Sequence, residues 1–144
     1  FVSARLFAFL APFLPQDEHF AAGNFVRDAN LGRKISIRSG GGSVRTYQYG
    51  TDMTTWLWAV LNRGISGQAY NVGSAHRVTI RELAEVVAQE SGKPDNVEIL
   101  GTDDPGSVNL YVPDVTKARK ELGLDNYVEL PEAVRRTLRW TGES

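Results

Sequence analysis

Arg45 carries the clearest chemical opportunity in this sequence. It follows the run Ser39-Gly40-Gly41-Gly42-Ser43 and opens a strand-like stretch that ends at Asp52. A guanidinium placed there can grip a phosphate or carboxylate through two parallel N–H donors, a geometry lysine cannot copy. An exposed strand arginine with no ligand fits the same residues. Asn24 is similarly open: its amide can bond a ligand phosphate or a neighbouring carbonyl. The other candidates are weaker. His19 stands beside Asp17 and Glu18, but adjacent side chains point apart and make a poor metal cage. With 2 histidines and no cysteine, a three-histidine site, thiolate catalysis and the usual structural zinc sites are all excluded, and no metal is expected. His76 shares a loop with Arg77 and reads as a surface residue. No serine sits in a G-x-S-x-G turn. Gly40-Gly41-Gly42 lacks the Gly-Lys-Ser/Thr of a phosphate loop, and strand-like runs flank it on both sides, so it reads as a flexible turn.

The elements that must position these groups alternate between strands and helices. FVSARLFAFL, at the start, is apolar and suited to a strand buried on both faces. HFAAGNFVRDANLG predicts a helix stopped at Gly32. KISIR and VRTYQY each alternate apolar and polar residues, and the glycine run between them suggests a hairpin or two neighbouring strands. A helix capped by Thr51 or Asp52 follows, with Met53, Trp56, Leu57, Val60 and Leu61 at inward spacing and Gly64 at its end. AYNVG (69–73) is a short strand. Thr79 and Glu82 form a capping box for a helix running to about Ser91. VEIL (97–100) is a strand, Asp114 caps a helix that ends at Gly123, and Pro131 opens the last helix. The class is α/β or α+β.

Composition sets further bounds. The chain has 144 residues, 42% hydrophobic and 23% charged, with a net charge of −1. That supports a folded core and lacks the basic excess of a nucleic-acid-binding protein. The longest apolar stretch, Leu6 to Leu14, is too short to span a bilayer and contains Pro12, so no membrane partner is expected. The sequence begins at Phe1 without methionine, and a strand of this kind normally has neighbours on both sides; the chain is therefore expected to be cut from something longer.

Read in order, these segments resemble one family. ARLFAFLAP (4–12) is similar to the R-x-F-N-x-x-G-P segment of the extended short-chain dehydrogenases/reductases that act on nucleotide sugars. GRKISIRSGGGSVRTYQYGTD (32–52) is similar to their G-x-x-I-x-I-x-G-D-G-x-x-x-R-D-F-x-Y-V-x-D block. AYNVGS (69–74) resembles their Y-N-x-G-S strand, TIRELAEVV the helix after it, and YVPDVTKARKELGL (111–124) their D-x-S-K-A-x-x-x-L-G signature. The family includes epimerases (isomerases), and dehydratases and decarboxylases (lyases).

The resemblance implies an α/β fold: the C-terminal substrate-binding part, residues 1–144, of an extended Rossmann-type short-chain dehydrogenase, lacking the N-terminal NAD-binding βαβ units. Residues 1–12 and 69–74 would be strands of the NAD-binding sheet. NAD or NADP would be held mainly by the rest of the enzyme. The catalytic Tyr-x-x-x-Lys of the family does not occur in these residues, so no catalytic residue is assigned. The partner implied is a nucleotide-diphosphate sugar, in a cytoplasmic homo-oligomer. Arg45 falls on the arginine that grips the diphosphate, and Asn24-Phe25 on the pair near the nucleotide phosphates. Ile37-Arg38 falls on the nucleobase-side wall, and Phe7, Ala8 and Phe9 on the turn near the nicotinamide. Departures are visible: Ala8 replaces the asparagine of F-N, Thr46 the aspartate of R-D-F, and Ser39 and Gly40 the glycine and aspartate of G-D-G. Asp104 and Ser107 stand where relatives carry an arginine and an aspartate. Two other functions remain compatible with the residues: a catalytically inactive binding or assembly module, and a reductase for a non-nucleotide substrate.

Overall fold

The computed structural model describes residues 1–16, 20–103, 106 and 109–142. The opening run does not continue as one strand. It divides into β1 (Ser3–Leu6) and β2 (Phe9–Leu10), which join different sheets. β3 (Ile35–Ile37), β4 (Val44–Arg45) and β5 (Gln48–Tyr49) follow α1 (Ala21–Asn30). After α2 (Gly50–Arg63) come β6 (Ala69–Val72), β7 (Val78–Thr79), α3 (Ile80–Glu90) and β8 (Val97–Ile99). Two helices close the chain, α4 (Thr116–Leu122) and α5 (Leu130–Gly142).

The strands pair at long range. β1 runs parallel to β6, β2 parallel to β5, and β3 parallel to β8, while β4 is antiparallel to β7. The hairpin expected between KISIR and VRTYQY does not form. Ile35 and Ile37 both face the core and take Val97 and Ile99 as register partners instead. The glycine run between them is not a flexible turn but a seat for a carboxylate. The amides of Gly40 and Gly42 donate to Asp103 at 3.0 and 2.6 Å. A Cβ on Gly40 would lie 2.6 Å from the Asp103 backbone nitrogen, and Gly41 has φ +85°, so the run must be glycine to wrap its anion.

Helix starts show how local chemistry competes with packing. The Thr79–Glu82 capping box forms as its spacing predicts. At α2 the N-cap is Tyr49 with no side-chain cap, so neither Thr51 nor Asp52 plays the expected part. Asp52 is instead buried in the first turn and accepts the amides of Tyr127 and Val128, both at 2.9 Å. Asp114 lies just before α4, where Val115 is the N-cap, and still accepts the Thr116 amide at 2.9 Å.

Two cores result. In the first, α1, α3 and α5 pack around β3 through residues such as Phe25, Val26, Leu83, Val87 and Val134. In the second, Trp56 and Val60 of α2 meet Tyr70 and Val72 of β6 and Ala118 and Leu122 of α4. Trp56 is fully buried and its Nε1 donates to the Asp125 carbonyl at 2.9 Å, a placement that contributes on the order of 3 kcal/mol. Leu61, expected inward, is 68% exposed beside the exposed Trp58; the inward position goes to Ala59. β1, read as a strand buried on both faces, exposes Arg5 and Leu6, which project to opposite faces, so neither face is fully covered.

Candidate functional site

A cleft of about 570 Å³ opens where the β1–β2 junction, the run from β4 to β5 and the first turn of α1 meet. Its floor is the turn Phe7-Ala8-Phe9. The Phe7 amide donates to Val72 O at 3.0 Å, and the Ala8 carbonyl accepts the Gln48 amide at 3.1 Å. These two bonds tie the turn to β6 on one side and to β5 on the other.

Arg45 reaches this cleft from β4. Its Nη1 donates to the carbonyls of Val44 and Asn109, at 2.8 and 3.0 Å. Of the five N–H donors of a guanidinium these use two, leaving Nε and Nη2 as a side-on fork. Among the described residues no carboxylate pairs with Arg45. Tyr47, two residues along the same extended run, lines the same cleft. Burial pushes its phenol up to about 12 from an ordinary 10.0, with the positive charge of Arg45 acting in the opposite direction. The phenol therefore stays neutral at any physiological pH.

Another aromatic residue lines the cleft beside Phe7. Tyr111 packs on Phe7 with ring centroids 4.9 Å apart, tilted by 30°. Its backbone is fixed by pairing beside β4: the Val44 amide donates to Asn109 O, and the Tyr111 amide to Val44 O. Ala21 and Ala22, in the first turn of α1, also line the cleft, and among the described residues no side chain caps that helix start. The amides of a helix N-terminus favour negative charge.

The structure thus brings Phe7, Ala8, Phe9 and Arg45 together around one space. The other expected contacts lie elsewhere. The Phe25 and Ile37 side chains are buried in the first core, Arg38 is exposed at the end of β3, and Asn24 accepts from Arg27 Nη1 at 3.3 Å. Asp17, Glu18, His19, Asp104 and Ser107, singled out above, lie outside the described residues. His76 and Arg77 are exposed. Among the described residues no cluster of three or more His, Cys, Asp or Glu could hold a metal, and no helix is long and apolar enough to cross a membrane. Sequence reasoning passed over Tyr47 and Tyr111. The spacing of two residues from Arg45 could have marked Tyr47; nothing local marks Tyr111, which arrives through long-range pairing.

Comparison with known proteins gives this cleft a context. The NAD dependent epimerase/dehydratase family matches residues 1–73, the segment that carries both Phe7–Phe9 and Arg45.

The chain belongs to the NAD-dependent epimerase/dehydratase family.

Similar curated proteins are UDP-glucuronic acid decarboxylase 1 of Xenopus tropicalis, 27% identical over 139 residues, and UDP-glucuronic acid decarboxylase 6 of Arabidopsis thaliana, 31% identical over 132. They align with 95% and 91% of this chain, which spans only 32% and 38% of their lengths. Among solved structures, the UDP-glucose 4-epimerase of Thermotoga maritima superposes with a TM-score of 0.86 at 20% identity, over 99% of this chain and 46% of its own. An epimerase of Methanothermobacter thermautotrophicus superposes with a TM-score of 0.83 at 26% identity, over 97% and 42%. The fold is therefore α/β and corresponds to less than half of an extended short-chain dehydrogenase chain, 46% of the Thermotoga maritima epimerase and 44% of the dTDP-glucose 4,6-dehydratase of Bacillus anthracis.

Proposed function

We propose that this chain is the nucleotide-sugar-binding part of an enzyme that oxidises a sugar transiently with NAD or NADP. The observation that carries the proposal is Arg45, which lines the cleft with Nε and Nη2 unbonded among the described residues, together with Ala21 and Ala22 at the start of α1. A diphosphate needs such a seat: a bidentate cation on one side and backbone amides on the other. Asn24 and Arg38 belong to the same proposal as outer contacts to the nucleotide, whereas Phe25 and Ile37, with their side chains in the first core, would contribute through their backbones.

The apolar turn Phe7-Ala8-Phe9 suits the flat face of a nicotinamide ring. When bound, the cofactor supplies hydride acceptance and return. The residues of this chain exclude water from that end of the cleft and hold the substrate against it. The glycine-rich loop and the Tyr-x-x-x-Lys pair of the family do not occur among these 144 residues, so the proposal assigns those roles to the rest of the protein. In the same reading β1 and β6 are two strands of the larger NAD-binding sheet, and the whole enzyme is a cytoplasmic homo-oligomer.

The decarboxylases among its relatives make UDP-glucuronate the first substrate to try. Full-length protein with NAD and UDP-glucuronate should release CO2 if it is a decarboxylase, and yield the 4-epimer without CO2 if it is an epimerase. Failure of calorimetric titrations with UDP-, dTDP-, CDP- and GDP-sugars alike to detect binding would end the proposal. The apolar floor favours a second reading, a reductase for a non-nucleotide substrate; the Arg45 fork weighs against it.

A further inference from the structure

We propose that the Tyr47 hydroxyl is a second donor of the anion seat, bonding the same phosphoryl group as Arg45 and so setting the preference of the cleft for that group. The inference rests on the reading of Arg45 as a ligand-binding residue.

Three observations converge on it. Tyr47 and Arg45 are two residues apart on one extended run and line one cleft, so their polar ends share a side. The ring is largely buried, and among the described residues no group bonds its hydroxyl. The hydroxyl itself is not sealed: the one buried polar side-chain atom without a partner among the described residues is Thr46 Oγ1, so the Tyr47 hydroxyl is open to the cleft and available to a ligand there. Phe7, Ala8 and Phe9, which line the same cleft, have no polar side-chain atom to compete for it. Tyr111, the other phenol of the cleft, is half exposed at the rim and stacked on Phe7. A ligand in the cleft can therefore displace water and supply the partner of Tyr47.

The chemistry of that partner follows from the neighbour. Burial keeps the phenol protonated, so it arrives as a donor. Beside a guanidinium with three remaining N–H groups, the group that accepts from both is an anionic oxygen. A phosphoryl group offers several such oxygens within one tetrahedron, enough for a fork from Arg45 and a single bond from Tyr47.

The test uses the full-length protein and calorimetric titration with UDP and dTDP, with uridine and thymidine as partners lacking phosphate. Tyr47→Phe should weaken the diphosphates about 10- to 100-fold, the range of a hydrogen bond to a charged group, and leave the nucleosides unchanged. In the double variant with Arg45→Ala the two losses should not add, since both residues act on one group. Unchanged diphosphate affinity in Tyr47→Phe, with loss in Arg45→Ala, overturns this inference and spares the proposed function. Equal loss for diphosphate and nucleoside also overturns it, because the ring would then be purely structural. Unchanged affinity in Arg45→Ala removes the proposed site itself. A second measurement uses the unsubstituted protein: tyrosine ionisation followed by absorbance at alkaline pH. UDP should move one tyrosine to higher pH and uridine should not; no shift with UDP counts against the inference even if Tyr47→Phe does not fold.

Discussion

The Asp52 carboxylate, in the first turn of α2, accepts the backbone amide of Tyr127 at 2.9 Å from 75 residues away. The same oxygen accepts the Val128 amide, so one buried side chain docks the chain entering α5 onto the start of α2. Asp52→Ala leaves two inward amides without an acceptor. It should cost about 2–4 kcal/mol in a urea titration, given about 1–3 kcal/mol for each unsatisfied buried group. Asp52→Asn, which keeps an acceptor oxygen, should cost less.

Arg45 should dominate ligand affinity in the full-length protein. Arg45→Ala is expected to weaken nucleotide-sugar binding by about 2–5 kcal/mol, the loss seen when a desolvated charge pair is broken. Arg45→Lys should recover only part of it, since an ammonium cannot present the Nε–Nη2 edge. Titration calorimetry of both variants checks the order.

Gly23 joins stability to the cleft. A Cβ there would stand 2.0 Å from the carbonyl oxygen of Pro15, a cleft-lining residue. Gly23→Ala gains helix propensity, worth about 1 kcal/mol, but must push α1 away from that carbonyl. The clash should prevail, with a net loss of about 1–3 kcal/mol, as for other overpacked contacts. A rise in thermal midpoint would contradict it.

Acid stability should carry the mark of the α3 capping box. The Thr79 backbone amide and then its hydroxyl bond the Glu82 carboxylate and lower its pKa below the ordinary 4.5. A carboxyl lowered in the folded state stabilises fully above its unfolded value and loses that contribution as pH falls through the folded one. Glu82→Gln should therefore lower stability at pH 7 and flatten its decline below pH 4.5, as read from midpoints across a pH series.

Much of this architecture is written locally. The apolar spacing on α1, α3 and α5, the Thr79–Glu82 box and the left-handed glycines at 32, 92 and 123 mark helices and their ends without tertiary information. Pairing is not written that way. β3 chooses β8 over its sequence neighbour β4, and strands of two residues such as β2 and β5 leave no periodic trace. Gly40-Gly41-Gly42 shows the same limit: its composition says turn, whereas its shape is set by Asp103, distant in sequence. In the cleft, Arg45 stands out by residue type and position. Tyr111 reaches it only because Asn109–Tyr111 pairs beside β4, an event with no local signature.

The hydrogen bond from Trp56 Nε1 to Asp125 turns one indole into an internal optical gauge. Trp58 is exposed and Trp140 half exposed against Phe13, whereas Trp56 is sealed and tethered to the segment that links the two cores. Its emission, resistant to iodide quenching, would register any parting of those cores without an added label.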